Sequence, residues 1–225
     1  MLVAIHQPHY LPWLGYLEKM AQADLFIVLD HVQFERGNYQ NRTQVRVNGA
    51  AHWLTVPVVQ RSQKERIDEK LIDTRQDWEA THYETLRRAY GQAAVAPLRP
   101  IYEMPWERLV DLNDAMLRFL RAALGIHTPL IYSSALDVTG AKSELVLNLC
   151  LAVGADALLV GLGGSRNYLD RAAFAAAGVE LAFQEFKHPV YPQRGPAPFI
   201  QGLSAVDFLF NKKISSREEL TFAAA

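Results

Sequence analysis

"LVAIHQPHYLPWLGYLEKMAQADLFIVLD", residues 2–30, decides the architecture. Leu2–Ile5 is a short unbroken apolar run, the pattern of a strand covered on both faces. Trp13, Leu14, Leu17 and Met20 recur at helical spacing within Trp13–Ala23, and Asp24–Asp30 is a second buried strand. Strand, helix and strand within thirty residues form a βαβ unit, so the two strands are expected to run parallel. The turn after the first strand carries His6 and His9, three apart, with Pro8 and Pro12 around them.

The same alternation returns later. Pro129–Ser134, Ala155–Gly161 and Val179–Phe186 read as strands; Ser143–Gly154, capped by Ser143, and Asn167–Gly178 read as the helices between them. In the middle, Val45 and Val47 alternate with polar residues, Asn48-Gly49 marks a turn and Trp53, Leu54 and Val56 resume, a β-hairpin signal. Ile67–Asp77 is polar with room for one edge strand. Asp77–Gly91 and Met104–Ile126 read as helices, the latter with Pro105 in its first turn, and Leu203–Lys212 as a last helix. The tail "FAAA" carries no readable signal. The expected class is α/β: a largely parallel sheet of Rossmann-like type with flanking helices and a β-hairpin insertion. Residues 1–225 read as a single domain, with 62–126 as a helical insertion or subdomain.

Half of the 225 residues are hydrophobic, which suffices for a sizeable core, and the formal net charge is -1. Lys and Arg are scattered among acids, against the clustered basic surface that nucleic-acid binding requires. One cysteine, Cys150, excludes an internal disulfide and fits a reducing cytoplasm; it reads as a buried small hydrophobe. The N-terminus lacks the basic and long apolar regions of a signal peptide, and no apolar stretch reaches the ~20 residues of a membrane span. A cytoplasmic location is the expectation.

Ligands of parallel sheets bind beyond the carboxyl ends of the strands, so the segments that follow strands are the ones to search. His6-Gln7-Pro8-His9 has the spacing and position of the His-x-Gly-His turn of nucleotidyltransferases, but not the glycine that lets backbone approach phosphate. The other reading is a rigid proline corner. Asp30, at a strand end, can orient a histidine or take a proton, or only cap a turn. Arg42 offers a planar fork to a carboxylate or phosphate, or makes a surface ion pair. Lys142 and Ser143 open a helix, where an anion site competes with an ordinary cap. Gly161, Gly163 and Gly164 follow a strand directly, which admits something close to backbone. His188 sits at a stiff proline turn, "KHPVYPQ", as an acid–base group or a structural one. No zinc spacing and no nucleophile elbow is present.

With these residues laid out, the chain resembles the WbqC-like family. The matching stretches are "HQPHYLPWLGYLEKM", "ADLFIVLDHVQFERGNYQNRTQV", "WLTVPV", "KSELVLNLCLAVGADALLVG", "YLD", "FKHPVYPQ" and "LSAVDFLFN". The resemblance implies a bacterial enzyme of O-antigen or specialised-metabolite biosynthesis. The family's motif residues fall on His6, Gln7, Pro8, Tyr10, Pro12 and Trp13, on Asp30, Gln33, Asn41 and Arg42, and on His188, Pro189, Tyr191 and Gln193. His9 is not a fixed family histidine, and "GLGGSRNYLD" departs from the more usual serine or proline after the first glycine.

The expected activity is transfer of an activated acyl or aminoacyl group to an amine. His6, Asp30 and His188 are the catalytic candidates. Gln7, Trp13, Gln33, Asn41, Arg42, Lys142, Ser143, Gly161, Tyr168, Tyr191 and Gln193 are the binding candidates. Nucleotidyl transfer and a non-catalytic binding or scaffold role are the rivals. The expected partner is a small molecule, carrier-bound or a nucleotide-sugar; no metal ligand set and no cofactor is named by the sequence. The distinguishing expectation is that the fold brings His6 and His188 to one rim.

Overall fold

The computed structural model describes residues 1–164, 168–196 and 198–211. Its centre is a five-stranded sheet in which every pairing is parallel. The strands are β1 (Leu2–His6), β2 (Leu25–Val28), β5 (Leu130–Tyr132), β6 (Ala157–Val160) and β7 (Glu180–Phe183), in spatial order β5-β2-β1-β6-β7. Counted within this sheet, the order is 3-2-1-4-5, the Rossmann-like winding. The chain moves outward on one side of β1, then returns and moves outward on the other. The gap between the carboxyl ends of β1 and β6 is therefore the topological switch point.

The short apolar runs form central strands because both faces are covered. One face meets α1 (Leu14–Gln22), α5 (Leu109–Ala123) and α8 (Ala205–Asn211), in a buried cluster that includes Leu17, Phe26, Leu112, Met116 and Val206. The other face meets α6 (Lys142–Ala152) and α7 (Arg171–Ala176) through Val3, Ile5, Leu149, Cys150, Leu158 and Phe174. Cys150 is fully buried, and burial pushes its thiol up to about 12.

A separate two-stranded sheet pairs β3 (Arg42–Val47) with β4 (Ala50–Thr55). Asn48 and Gly49, both at positive φ (50° and 82°), close the hairpin with the twist that two-residue turns require. The helical segment begins with α2 (Trp78–Tyr90), ended by Gly91 at φ 93°, followed by the short α3 (Gln92–Val95) and α4 (Arg99–Tyr102). Its Trp78, Leu86, Leu98 and Leu109 belong to the same buried cluster as the first sheet face.

Several local expectations need correction. Ile67–Asp77 forms no strand; it is held by isolated bridges, Val58 to Ile72 and Leu71 to Arg108. Pro105 precedes α5 rather than entering it, because Leu109 is the first helical residue. Ser143 is not an N-cap, since α6 already begins at Lys142 with Ala141 in the capping position. Within the helix expected over Asn167–Gly178, α7 begins at Arg171, and Asp170 caps it by accepting from Ala172 N and Ala173 N at 3.1 Å. Asn167, Lys212 and the tail "FAAA" lie outside the described residues.

Candidate functional site

A cavity of about 460 Å³ opens at the switch point. That is a usual size for a small-molecule site. The loop after β1 supplies His6, Gln7, His9 and Trp13, and α1 supplies Gly15, Tyr16 and Lys19. The loop after β2 adds Glu35 and Asn38, the turn after β6 adds Gly161, Gly163, Gly164 and Tyr168, and the end of β7 adds Gln184.

The position of each wall residue has a local cause. Trp13 is the residue before α1, in extended conformation, and its indole folds back over Gly15. A Cβ at Gly15 would lie 2.3 Å from that ring. Gly15→Ala is therefore expected to lower stability by about 1–3 kcal/mol and to push Trp13 off the wall. Chemical denaturation with near-ultraviolet circular dichroism checks this, and unchanged stability and spectra would contradict it. Gln184 ties β7 to α1 by donating to the Gly15 carbonyl at 2.8 Å and to the Glu18 carboxylate.

The His6 ring donates from Nδ1 to the Gln7 carbonyl at 3.0 Å, which leaves Nε2 as the lone-pair nitrogen. His9 stands edge-on to His6 with ring centroids 4.6 Å apart, and Tyr16 lies 4.6 Å from His6 on another side. Burial, then the neighbouring His9 and Lys19, holds His6 well below the usual imidazole range. Burial pushes His9 down to about 3. Both rings are neutral at pH 7. His9 Nδ1 and the Tyr16 hydroxyl are buried without hydrogen-bond partners among the described residues.

Lys19 is the residue that sequence reasoning missed. Its side chain is 4% exposed, and Nζ donates to the Ile5 carbonyl at 2.8 Å. Burial pushes its ammonium down to about 7. Nothing in "YLEKMAQ" marks it, because a lysine beside a glutamate on a short helix ordinarily faces water. Tyr16, Gln184 and the discounted His9 were missed for the same reason: only the tertiary packing of α1 and the strand ends brings them here.

Of the sequence candidates, His6, Gln7, Trp13, Gly161 and Tyr168 line this cavity. The others do not. Gln7 accepts from Gln40 Nε2 at 2.8 Å. Asp30 accepts from Ser133 Oγ and Ser134 N, both at 2.9 Å, and from Ser134 Oγ at 2.6 Å, so it ties the end of β2 to that of β5. It orients a histidine only indirectly: Ser133 gives its one proton to Asp30 and so accepts from His31 Nδ1 at 2.6 Å. Gln33 donates to the Gln63 carbonyl, and Asn41 to the Val56 carbonyl. Arg42 lies over the Trp53 ring at 4.1 Å. Ser143 accepts from Asp170 N at 2.7 Å, and Lys142 is exposed on the same side of the fold.

His188 does not reach the rim of His6. It stacks on Tyr191 and meets Phe186 and Phe199 edge-on, and Phe186 in turn packs against the Trp13 indole. Tyr191 and Gln193 are turned inward instead, each donating to Asp207 at 2.8 Å. The "KHPVYPQ" segment is thus held to α8, and none of its residues lines the cavity. Among the described residues, no group of three or more His, Cys, Asp or Glu side chains is arranged to hold a metal ion, and no helix is long and apolar enough to cross a membrane.

The model of the WbqC-like protein family matches residues 7–219. An uncharacterized protein of Mycobacterium tuberculosis (strain ATCC 25618 / H37Rv), Rv1507c, is 32% identical over 217 residues, covering 93% of each chain. No solved structure matches. With a family match that spans nearly the whole chain and a relative aligned along its length, the chain belongs to the WbqC-like protein family.

Proposed function

We propose that the chain is a biosynthetic enzyme that joins an activated acyl or aminoacyl group to an amine, and that the reaction takes place in the switch-point cavity. The observation that carries this reading is the meeting of His6 and Lys19 on the cavity wall, a base beside a proton donor. His6 Nε2 takes the proton from the attacking amine nitrogen as the nitrogen bonds to the carbonyl carbon. The carbonyl oxygen becomes an oxyanion, to which the Lys19 ammonium donates. Collapse restores the carbonyl and expels the leaving group, a thiolate or phosphate, which takes the proton back. Glu35, an exposed carboxylate at the mouth, attracts the protonated acceptor before it loses its charge. O-antigen or specialised-metabolite assembly is the setting that the family resemblance supports.

The test is turnover of acyl thioesters, acyl phosphates and aminoacyl adenylates with amine acceptors. His6→Ala, shown to be folded by circular dichroism, is expected to lose rate by ~10²-fold or more. His188→Ala is expected to stay near normal, because His188 is outside the cavity wall. A near-normal rate for His6→Ala would sink the catalytic assignment, and no turnover by the native chain would favour a non-catalytic binding role. Nucleotidyl transfer has less support, since Ser143, which it would use for phosphate, does not line the cavity of His6.

A further inference from the structure

We propose that Lys19 is an anion receptor, and that the ligand of the cavity carries an oxyanion group, a phosphate or a carboxylate, which seats on Lys19 Nζ beside the Gly161–Gly164 turn. The inference deepens the proposed acyl transfer by naming a chemical feature of its substrate, but it rests on binding geometry and not on turnover.

Three observations support it. First, Lys19 has no carboxylate within ion-pair distance among the described residues; the adjacent Glu18 is turned to Gln22 and Gln184. An ammonium has three protons to donate, and only the Ile5 carbonyl receives one among the described residues. A buried cation without a counter-ion is costly, and a bound anion removes that cost. Second, Nζ faces Gly161. A Cβ at Gly161 would lie 3.4 Å from Nζ, in the place an oxygen of the ligand would take, and a Cβ at Gly163 or Gly164 would meet no heavy atom within 4 Å among the described residues. Leu162 between them is exposed, and the lack of a side chain at Gly161 lets an anion approach the ammonium. Third, the other groups facing Lys19 do not compete for it: His6 is neutral, and Cys150 stays a thiol. Burial also lowers the Lys19 ammonium toward neutrality, and a seated anion would restore its proton.

Formaldehyde tests this on the native chain, because it labels unprotonated amines and carries no anionic group of its own. The amine adds to the aldehyde carbon, water leaves, and added borohydride supplies the hydride that reduces the imine to a stable secondary amine. Peptide mapping is expected to find Lys19 labelled faster than the exposed lysines. Inorganic pyrophosphate or succinate at ten times its Kd should slow that labelling by about tenfold. Protection by pyrophosphate alone identifies the ligand group as phosphate, and by succinate alone as carboxylate. Lys19→Met is expected to keep or raise the melting temperature, since it removes a buried charge, while abolishing stabilisation by the protecting anion. Gly161→Ala is expected to weaken protection with the charge unchanged. Labelling confined to exposed lysines, or Lys19 labelling that neither anion slows, would overturn the proposal. Lys19 labelling and protection in a chain that turns over no acyl donor would keep the anion site and remove the transfer reading.

Discussion

Asp207→Ala is expected to lower the unfolding free energy by about 3–5 kcal/mol. Asp207 is fully buried on α8, and its carboxylate accepts from three groups, each at 2.8 Å: the Tyr90 hydroxyl at Oδ1, and the Tyr191 hydroxyl and Gln193 Nε2 at Oδ2. Those donors come from the helical segment and from the "KHPVYPQ" stretch, so one side chain ties three distant parts of the sequence together. The carboxylate is not isolated in the interior. Gln193 Oε1 accepts from Arg46 Nη1 at 2.7 Å, and Arg46 also donates to the Arg194 and Pro198 carbonyls.

Truncation at Asp207 would leave two phenol hydroxyls and one amide donor buried without an acceptor. The desolvation of these groups is already incurred in the folded chain, which is why losing the acceptor costs more than the net worth of one hydrogen bond. At this chain length a change of 1 kcal/mol moves the melting temperature by about 2–4 °C, so calorimetry reads the effect directly. Asp207→Asn keeps one oxygen but presents a donor to another donor, and is expected to cost less than the alanine change. A loss below about 1 kcal/mol for Asp207→Ala would show that the carboxylate does not hold these segments together.

Stability is expected to fall steeply as pH drops below 6.5. The reason is a set of histidines buried in neutral form. Burial pushes His9 down to about 3 and His82 to about 4, and His6 is lowered as well. Above pH 6.5 these groups are neutral in both folded and unfolded chains, and their burial has no pH dependence. Below it the unfolded chain takes up protons that the folded chain refuses, so acid favours unfolding until the folded values are reached. Each such group contributes a slope of about 1.4 kcal/mol per pH unit through that window.

The surface carboxylates do not account for the same window. Asp73, paired with Arg75, and Glu84, paired with Arg87 and Arg88, are held below the usual carboxylate range, Glu84 at about 2. Their effect is expected at lower pH. Urea unfolding at pH 7.5, 6.0 and 5.0 checks the sign and the slope. His9→Asn is expected to flatten the curve by one group's share. An acid slope that this variant leaves unchanged would mean that His9 is not buried in neutral form.

Much of the fold was legible because it depends on local pattern. The runs Leu2–Ile5, Phe26–Val28 and Leu158–Val160 have the continuous apolarity of strands covered on both faces, and each is a central strand. Asn48-Gly49 marked its hairpin because few other pairs adopt positive φ at both positions. The reading failed where a single polar residue had two uses. Ser143 has the character of an N-cap, yet its hydroxyl receives Asp170 N from another helix. Tyr191 and Gln193 have the character of ligand contacts, yet their donors meet a buried carboxylate that lies fourteen or more positions further along.

By itself, then, the sequence determined the order of strands and helices, the parallel sheet and the rim where a site would form. Apolar periodicity and the chirality of βαβ units leave few other arrangements. Only the tertiary structure decided which polar residues face that rim. It placed His9, Tyr16 and Lys19 beside His6, and turned His188 away behind Trp13 and Phe186. The physical reason is that α1 packs on the sheet so that Lys19 meets Ile5 of β1 and Gly161 after β6, strands brought together from distant parts of the chain. No spacing within "WLGYLEKM" records that packing.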